Sequence, residues 1–100
     1  MPETLADVAL RIRSKNAGPF WITIDIFCDR DDYARVSALP NRAFETRLRS
    51  AVTGRFDLPD LCVVKLSLPR PQVQGSPSDR DMHGAALAQV LAGMPIPDPG

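Results

Sequence analysis

Two short polar stretches hold most of the side chains in this sequence that could do chemistry. The first is RSKNAGPF at residues 13–20, and the second is GSPSDRDMHG at residues 75–84. The first supplies two cations, a hydroxyl and an amide, which are groups that bind carboxylate or phosphate. The second holds the single histidine, His83, between acidic residues and a glycine. Because imidazole changes its charge near neutral pH, this combination is typical of a site that binds an anion and transfers a proton.

RSKNAGPF has two interpretations. As structure, it is the cationic last turn of a helix, with Asn16 or Gly18 in the left-handed conformation and Pro19 preventing continuation. As a site, it is an anion cradle in which side-chain donors and a flexible backbone surround the ligand. The residues of that cradle are Arg13, Ser14, Lys15, Asn16 and Gly18. The pattern alone leaves both interpretations open.

GSPSDRDMHG is equally ambiguous. Ser76 followed by Pro77 and Asp79 has the form of a helix start, whose free N–H groups can also bind an anion. The candidate catalytic residues are Asp81 and His83. The candidate substrate-binding residues of this stretch are Gly75, Ser76, Asp79 and Arg80. A lone histidine beside acids is also typical of a hydrogen-bonded surface residue, and the spacing matches no recognised metal loop, so we predict no metal ligands.

Other polar groups favour structural roles. The acidic run Asp29, Asp31 and Asp32 is suited to capping a helix. Four arginines on or beside one predicted helix indicate a solvated face, with an acidic partner surface as the alternative; they are Arg42, Arg47, Arg49 and Arg55. Cys28 and Cys62 fall in separate apolar stretches, which predicts buried, reduced thiols. The chain has no phosphate-binding glycine loop and no nucleophile elbow.

Composition limits the function further. A chain of 100 residues suits one domain, and its 44% hydrophobic and 24% charged residues are ordinary for a globular protein. The formal net charge is zero, so neither nucleic acid nor an anionic membrane is an expected partner. We find no export signal and no apolar run of the roughly 20 residues that a membrane span needs, and therefore expect a cytoplasmic protein.

The polar stretches must be positioned by helices around a small sheet. Helical spacing of apolar residues predicts an amphipathic helix over about residues 4–14, and FWITIDIFC alternates as a strand. DRDDYARVSAL predicts a short helix, Asn41 begins another that ends at Gly54, and FDLPD is expected to be a turn. LCVVKLSL predicts the second strand. A final helix follows Ser76 and ends near Gly93.

These elements predict a single α+β domain over residues 1–93, with helices covering a small sheet, and a proline-rich tail over 94–100 that is extended or disordered. Two strands alone make a marginal sheet. Either the segment QVQ therefore adds an edge strand or another subunit completes the layer, and in both cases an exposed sheet edge favours association.

Two segments together resemble a known family. IRSKNAGPFWITIDIF and SLPRPQVQGSPSDRDMHGA resemble a small uncharacterised bacterial family found beside, or fused to, proteins like the acyclic terpene utilisation protein AtuA. The likeness covers roughly residues 4–90, and Ser78 and Ala86 depart from the expected glycine and glutamine. It implies a companion chain to a larger AtuA-like subunit in the catabolism of organic acids or acyl-CoA-type compounds, and a ferredoxin-like form of the α+β fold.

The expected function is that of an accessory or small subunit whose two polar loops complete a carboxylate or acyl-CoA-type site on the larger enzyme. Arg13 and Lys15 would bind the anion, and Asp81 or His83 would transfer a proton. Hydratase or lyase chemistry fits that arrangement, without a cofactor and without complete activity in this chain alone. The alternatives are a non-catalytic interaction subunit and a stand-alone homo-oligomer that binds a small molecule.

Overall fold

The computed structural model describes residues 3–69 and 86–97. Its helices are α1 (Leu5–Val8), α2 (Arg30–Ser37), α3 (Asn41–Leu48) and α4 (86–92). Its strands are β1 (Ala9–Asn16), β2 (Trp21–Cys28), β3 (Gly54–Leu58) and β4 (Val63–Pro69). Two β-hairpins therefore flank the pair α2–α3, and α4 follows the second hairpin.

The four strands form one antiparallel sheet in the order β1-β2-β4-β3. The two strands predicted from sequence, β2 and β4, lie in its centre and pair from Trp21 with Pro69 to Phe27 with Val63. Their β-branched and aromatic residues at period two explain why both form strands. The predicted α+β fold, with helices covering a small sheet, is confirmed.

The helices within residues 3–69 and 86–97 lie against one face of the sheet, which we call the covered face. The alternate residues Ile22, Ile24 and Ile26 of β2 are fully buried there. The fully buried helical residues of the same core are Leu5, Val36, Phe44 and Leu91. Each such burial contributes about 1.5–3 kcal/mol, so this face stabilises the fold. The opposite face, which we call the open face, has no described helix packed on it.

The predicted helix over residues 4–14 is wrong beyond Val8. Residues 9–16 are strand β1, which pairs with β2 from Ala9 with Cys28 to Asn16 with Ile22. The segment Arg11–Asn16 alternates exposed and half-buried residues at period two, and this pattern competes with the helical spacing of its apolar residues. The strand forms in preference to the helix because β2, rich in β-branched residues, otherwise has no hydrogen-bonding partner along that side.

Two further boundaries differ from the prediction. FDLPD is not only a turn, since Phe56, Asp57 and Leu58 belong to the edge strand β3 and only the following residues turn. The helix that begins at Asn41 ends at Leu48 rather than at Gly54, because Arg49 takes the left-handed conformation with φ 55°. The segment QVQ lies outside the described residues.

The two ends of the described chain meet. The N–H of Leu5 donates to the carbonyl of Met94 at 2.8 Å, and the N–H of Ile96 donates to the carbonyl of Glu3 at 2.8 Å. Arg35 holds both segments, since its guanidinium donates to Glu3 Oε1 at 2.8 Å and to the carbonyl of Pro97 at 3.1 Å. In the segment expected to be a tail, Met94 and Ile96 are buried in the core, and residues 98–100 lie outside the described residues.

The order of the described elements differs from that of a ferredoxin-like domain. That arrangement alternates as β-α-β-β-α-β. Here the strands come as two hairpins with both α2 and α3 between them. The described elements therefore establish the α+β class of the fold and nothing finer.

Candidate functional site

RSKNAGPF forms the end of β1 and the turn of the first β-hairpin, and the predicted helix stop is wrong. The N–H of Ala17 donates to the carbonyl of Trp21 at 2.8 Å and closes the turn. Gly18 has φ 80°, a conformation that residues with a Cβ rarely adopt. The polar residues of this stretch are therefore presented by a strand and its turn.

Strand alternation divides the predicted anion cradle between the two faces of the sheet. Arg13 and Lys15 are exposed on the open face. Ser14 and Asn16 are half-buried on the covered face, where Ser14 Oγ accepts the N–H of Ala88 at 3.1 Å. That bond ties β1 to α4. Of the cradle residues, the two cations therefore lie on the same face of the sheet. Ser14 lies on the other face, where it connects β1 to α4.

The open face carries four cations and one carboxylate among the described strand residues. The cations are Arg11, Arg13, Lys15 and Lys65, and the carboxylate is Asp25. Arg13 and Lys65 are the cross-strand neighbours of Asp25 on its two sides. Lys65 Nζ lies 3.8 Å from Asp25 Oδ1, too far for a hydrogen bond, and this buried oxygen accepts none from the described residues. The face is therefore positive and suited to anions.

Beside these cations lies a hollow of 390 Å³, lined by Ala17, Trp21, Thr23, Thr53 and Ser67. Lys15, Thr23 and Ser67 follow one another across three strands, so an ammonium and two hydroxyls form one row. The indole of Trp21 supplies an apolar wall and is 45% exposed. A cation, hydroxyl donors and a flat apolar wall suit a carboxylate with a small apolar body.

Aromatic groups extend the open face. Phe56 on β3 is 61% exposed. The guanidinium carbon of Arg11 lies 5.0 Å from the centroid of the Phe27 ring, a cation–π contact. Exposed aromatic residues together with arginine are enriched in protein interfaces. The open face therefore has the composition of a surface that a second chain can cover.

The second polar stretch lies outside the described residues. This applies to the candidates Gly75, Ser76, Asp79, Arg80, Asp81 and His83. Within residues 3–69 and 86–97, no group of three histidine, cysteine or acidic side chains could hold a metal ion. In the same ranges no helix is long and apolar enough to cross a membrane.

The other predicted polar groups have structural partners. Asp29 caps α2 as predicted, with Oδ1 accepting the N–H of Asp32 at 2.9 Å. The four arginines do not form one solvated face, because the Arg55 side chain is only 14% exposed. Arg47 Nε donates to the carbonyl of Val90 at 2.8 Å. Cys28 is buried and Cys62 half-buried, and both are free thiols.

Sequence reasoning missed the contributions of Thr23, Ser67 and Trp21 to the open face. A signal was present, since all three fall on the same alternation phase of β2 and β4, opposite to the buried residues. What the sequence does not contain is the register that places Thr23 directly between Lys15 and Ser67. The site is thus a product of strand pairing.

Comparisons with known proteins give one match. No curated protein and no solved structure matches the chain. A family model described as a domain of unknown function, DUF4387, matches residues 5–95, which include every described strand and helix. On that match the chain belongs to the DUF4387 family.

Proposed function

We propose that this chain is the small subunit of a larger enzyme, and that its open face contributes part of a carboxylate site at the boundary between the subunits. The observation that carries the proposal is the placement of Arg13 and Lys15 on the same sheet face as Trp21, Thr23 and Ser67, a face on which no described helix packs. The family match adds no reaction, partner or substrate to this proposal.

The arrangement supports a shared site better than a complete one. Among the described residues, the hollow is lined by Ala17, Trp21, Thr23, Thr53 and Ser67, whose hydroxyls can bind an anion but which include no histidine and no thiol. A second chain laid on the open face would exclude water and strengthen the interaction of Lys15 with a carboxylate. The exposed Trp21 and Phe56 would supply the apolar contact with that chain.

The finer proposal follows the sequence resemblance. The large subunit would be AtuA-like, and the ligand a small organic acid or its acyl-CoA-type thioester. Asp81 and His83, outside the described residues, would transfer the proton in a hydratase or lyase reaction. Loss of turnover in His83→Ala, with the complex intact, is the expected result; unchanged turnover would reject this assignment.

Complex formation is tested by co-expressing the chain with an AtuA-like large subunit and measuring the mass of the eluted species by light scattering. For the wild-type chain we expect a single complex. For Arg13→Glu/Lys15→Glu we expect a dissociation constant at least tenfold higher. The matched control is Arg30→Glu/Arg42→Glu, which reverses two exposed charges on the helical side. Separate elution of the wild-type chains would overturn the subunit proposal.

Carboxylate binding is tested by titrating the complex with butanoate and with butanoyl-CoA. Lys15→Gln and Ser67→Ala should each weaken binding about tenfold, the effect expected when one charged or polar contact is lost. Unchanged binding in an intact complex would instead favour the alternative of a non-catalytic interaction subunit. Binding by a homo-oligomer of the chain without any partner would favour a stand-alone domain.

A further inference from the structure

Cys28 is the last residue of β2, and Cys62 lies in the turn immediately before β4. The last registered pair of β2 and β4 is Phe27 with Val63, so each cysteine is the chain neighbour of one member of that pair. The N–H of Cys28 donates to the carbonyl of Cys62 at 2.8 Å. Because N–Cα is about 1.5 Å and a carbonyl oxygen lies about 2.4 Å from its own Cα, this single bond holds the two Cα atoms within about 6.7 Å of each other. That upper bound lies within the range of roughly 4.4–6.8 Å that disulfides span.

The two thiols also share their surroundings. Burial is the main cause that raises the pKa of the Tyr33 hydroxyl, followed by the charge of Asp57 and then of Cys62, with Cys28 adding a smaller effect. Both sulfur atoms are therefore within electrostatic reach of the same phenol. Burial likewise raises the pKa of the Cys28 thiol to about 11, with smaller contributions from Asp32, Asp29 and Cys62.

Cys62 has an unusual backbone for a residue with a side chain. Its φ is 55°, in the left-handed region, and the turn here could be made at lower energy by glycine. Cys62 is half-buried and its Sγ lies 3.6 Å from the carbonyl of Pro59, whereas Cys28 is only 5% exposed. The pair therefore consists of a half-buried thiol, Cys62, which a small reagent can reach, and a buried thiol, Cys28.

We propose that Cys28 and Cys62 form a redox-responsive pair, which a low-molecular-weight disulfide such as oxidised glutathione converts into an intrachain disulfide. The Cys62 thiolate attacks one sulfur of oxidised glutathione, the reagent's S–S bond breaks, and one glutathione thiolate leaves. The Cys28 thiolate then attacks the Cys62 sulfur of the mixed disulfide, and the second glutathione thiolate leaves. The two thiol protons pass to solvent, the protein loses two electrons and the reagent gains them.

The new bond would join the end of β2 to the turn before β4, next to the start of α2. It would cross-link the two central strands of the sheet, at the end remote from the Trp21–Pro69 pair. The cysteine pair is independent of the proposed carboxylate site, because it lies at the opposite end of β2 from Thr23 and its neighbour Lys15.

The test incubates the folded chain with oxidised glutathione, blocks the remaining thiols with N-ethylmaleimide and measures the intact mass. The wild-type chain should lose the mass of two hydrogens, take up no N-ethylmaleimide and regain both reactive thiols after treatment with dithiothreitol. Cys28→Ser should stop at a glutathione adduct on Cys62. Cys62→Ser should remain unmodified by glutathione, because only the buried thiol is left.

The result that would overturn the proposal is a wild-type chain that stays reduced, retains a glutathione adduct or forms a linked dimer. Circular dichroism before the reaction verifies that each variant is folded. The same incubation in denaturant serves as a reference, since the unfolded Cys62→Ser chain should accept glutathione at Cys28 while the folded one does not. Equal reaction of Cys28 in both conditions would also contradict the assigned order of attack.

Discussion

The guanidinium of Arg55 lies over the ring of Phe44, with the guanidinium carbon 5.4 Å from the ring centroid. The same group donates to the carbonyl of Leu39 at 2.6 Å and to that of Ser37 at 2.8 Å. Asp57 accepts from Arg55 Nε at 2.9 Å and balances its charge. One side chain of the edge strand β3 thus holds the connection between α2 and α3.

Replacing Arg55 should therefore destabilise the fold. Arg55→Ala should lower the free energy of unfolding by about 2–4 kcal/mol, because two part-buried carbonyls lose a charged donor. Arg55→Lys should restore only part of this, since an ammonium cannot reproduce the planar fork. Urea denaturation measures both. The control Arg42→Ala, at an exposed position, should change stability by less than about 0.5 kcal/mol; an equal loss there would contradict the assignment.

Gly18 should resist substitution because of its backbone conformation. Its φ is 80°, and a Cβ placed there would meet no heavy atom within 4 Å. Gly18→Ala should cost about 1–2 kcal/mol and lower the melting temperature, with Gly18→Asn costing less. Gly54→Ala is the matched control, because its φ is not in the left-handed region and its new Cβ would lie 3.4 Å from the Ser67 Cβ, in ordinary contact. A similar fall in both variants would argue against the backbone explanation.

Substitution of Ser14 should affect stability, whereas substitution of Ser67 should affect carboxylate binding. Ser14→Ala removes the acceptor for the N–H of Ala88 and should lower stability by about 1 kcal/mol. Amide exchange in α4 should become faster, as measured by mass spectrometry. Ser67→Ala, on the open face, should leave that exchange unchanged and weaken only carboxylate binding. Faster exchange of α4 in both variants would mean that the two faces are not independent.

Stability should fall in alkaline solution because of Cys28. Its pKa is about 11 in the folded chain against 9.0 as the ordinary value, so the unfolded chain loses the proton first as the pH rises. The contribution of the protonated Cys28 thiol to the free energy of unfolding is fully present below about pH 9 and is lost as the pH approaches 11. Urea denaturation across this range should give a steeper decline for wild type than for Cys28→Ser. Tyr33, whose pKa is raised mainly by burial, titrates in both chains, so the larger part of its contribution cancels in the comparison.

Much of the fold could be predicted from alternation and caps. The strand β2 and the cap of α2 by Asp29 were predictable because each depends on adjacent residues. β1 was not, because residues 9–16 satisfy a helical and a strand pattern at once and only the unpaired side of β2 decides between them. Pairing with β2 therefore determines the conformation of this segment.

The candidate site was predictable only as a set of residue types. Arg13 and Lys15 lie on one face of the sheet, but the strand turns Ser14 to the other face. The hydroxyls that replace it, Thr23 and Ser67, come from strands 8 and 52 positions further along the chain than Lys15. Such neighbours depend on register, which no short motif contains.

The contact between the segments around Glu3 and Ile96 has a consequence for how this domain can be joined to other proteins. Glu3 and Ile96 share a backbone hydrogen bond, and Arg35 clasps both segments. A domain whose ends lie side by side can be inserted into a surface loop of another protein without separating the residues that flank the insertion point. For the same reason the ends can be joined by a short linker and the chain reopened at the exposed turn around Asp60, giving a circular permutant with the same sheet order.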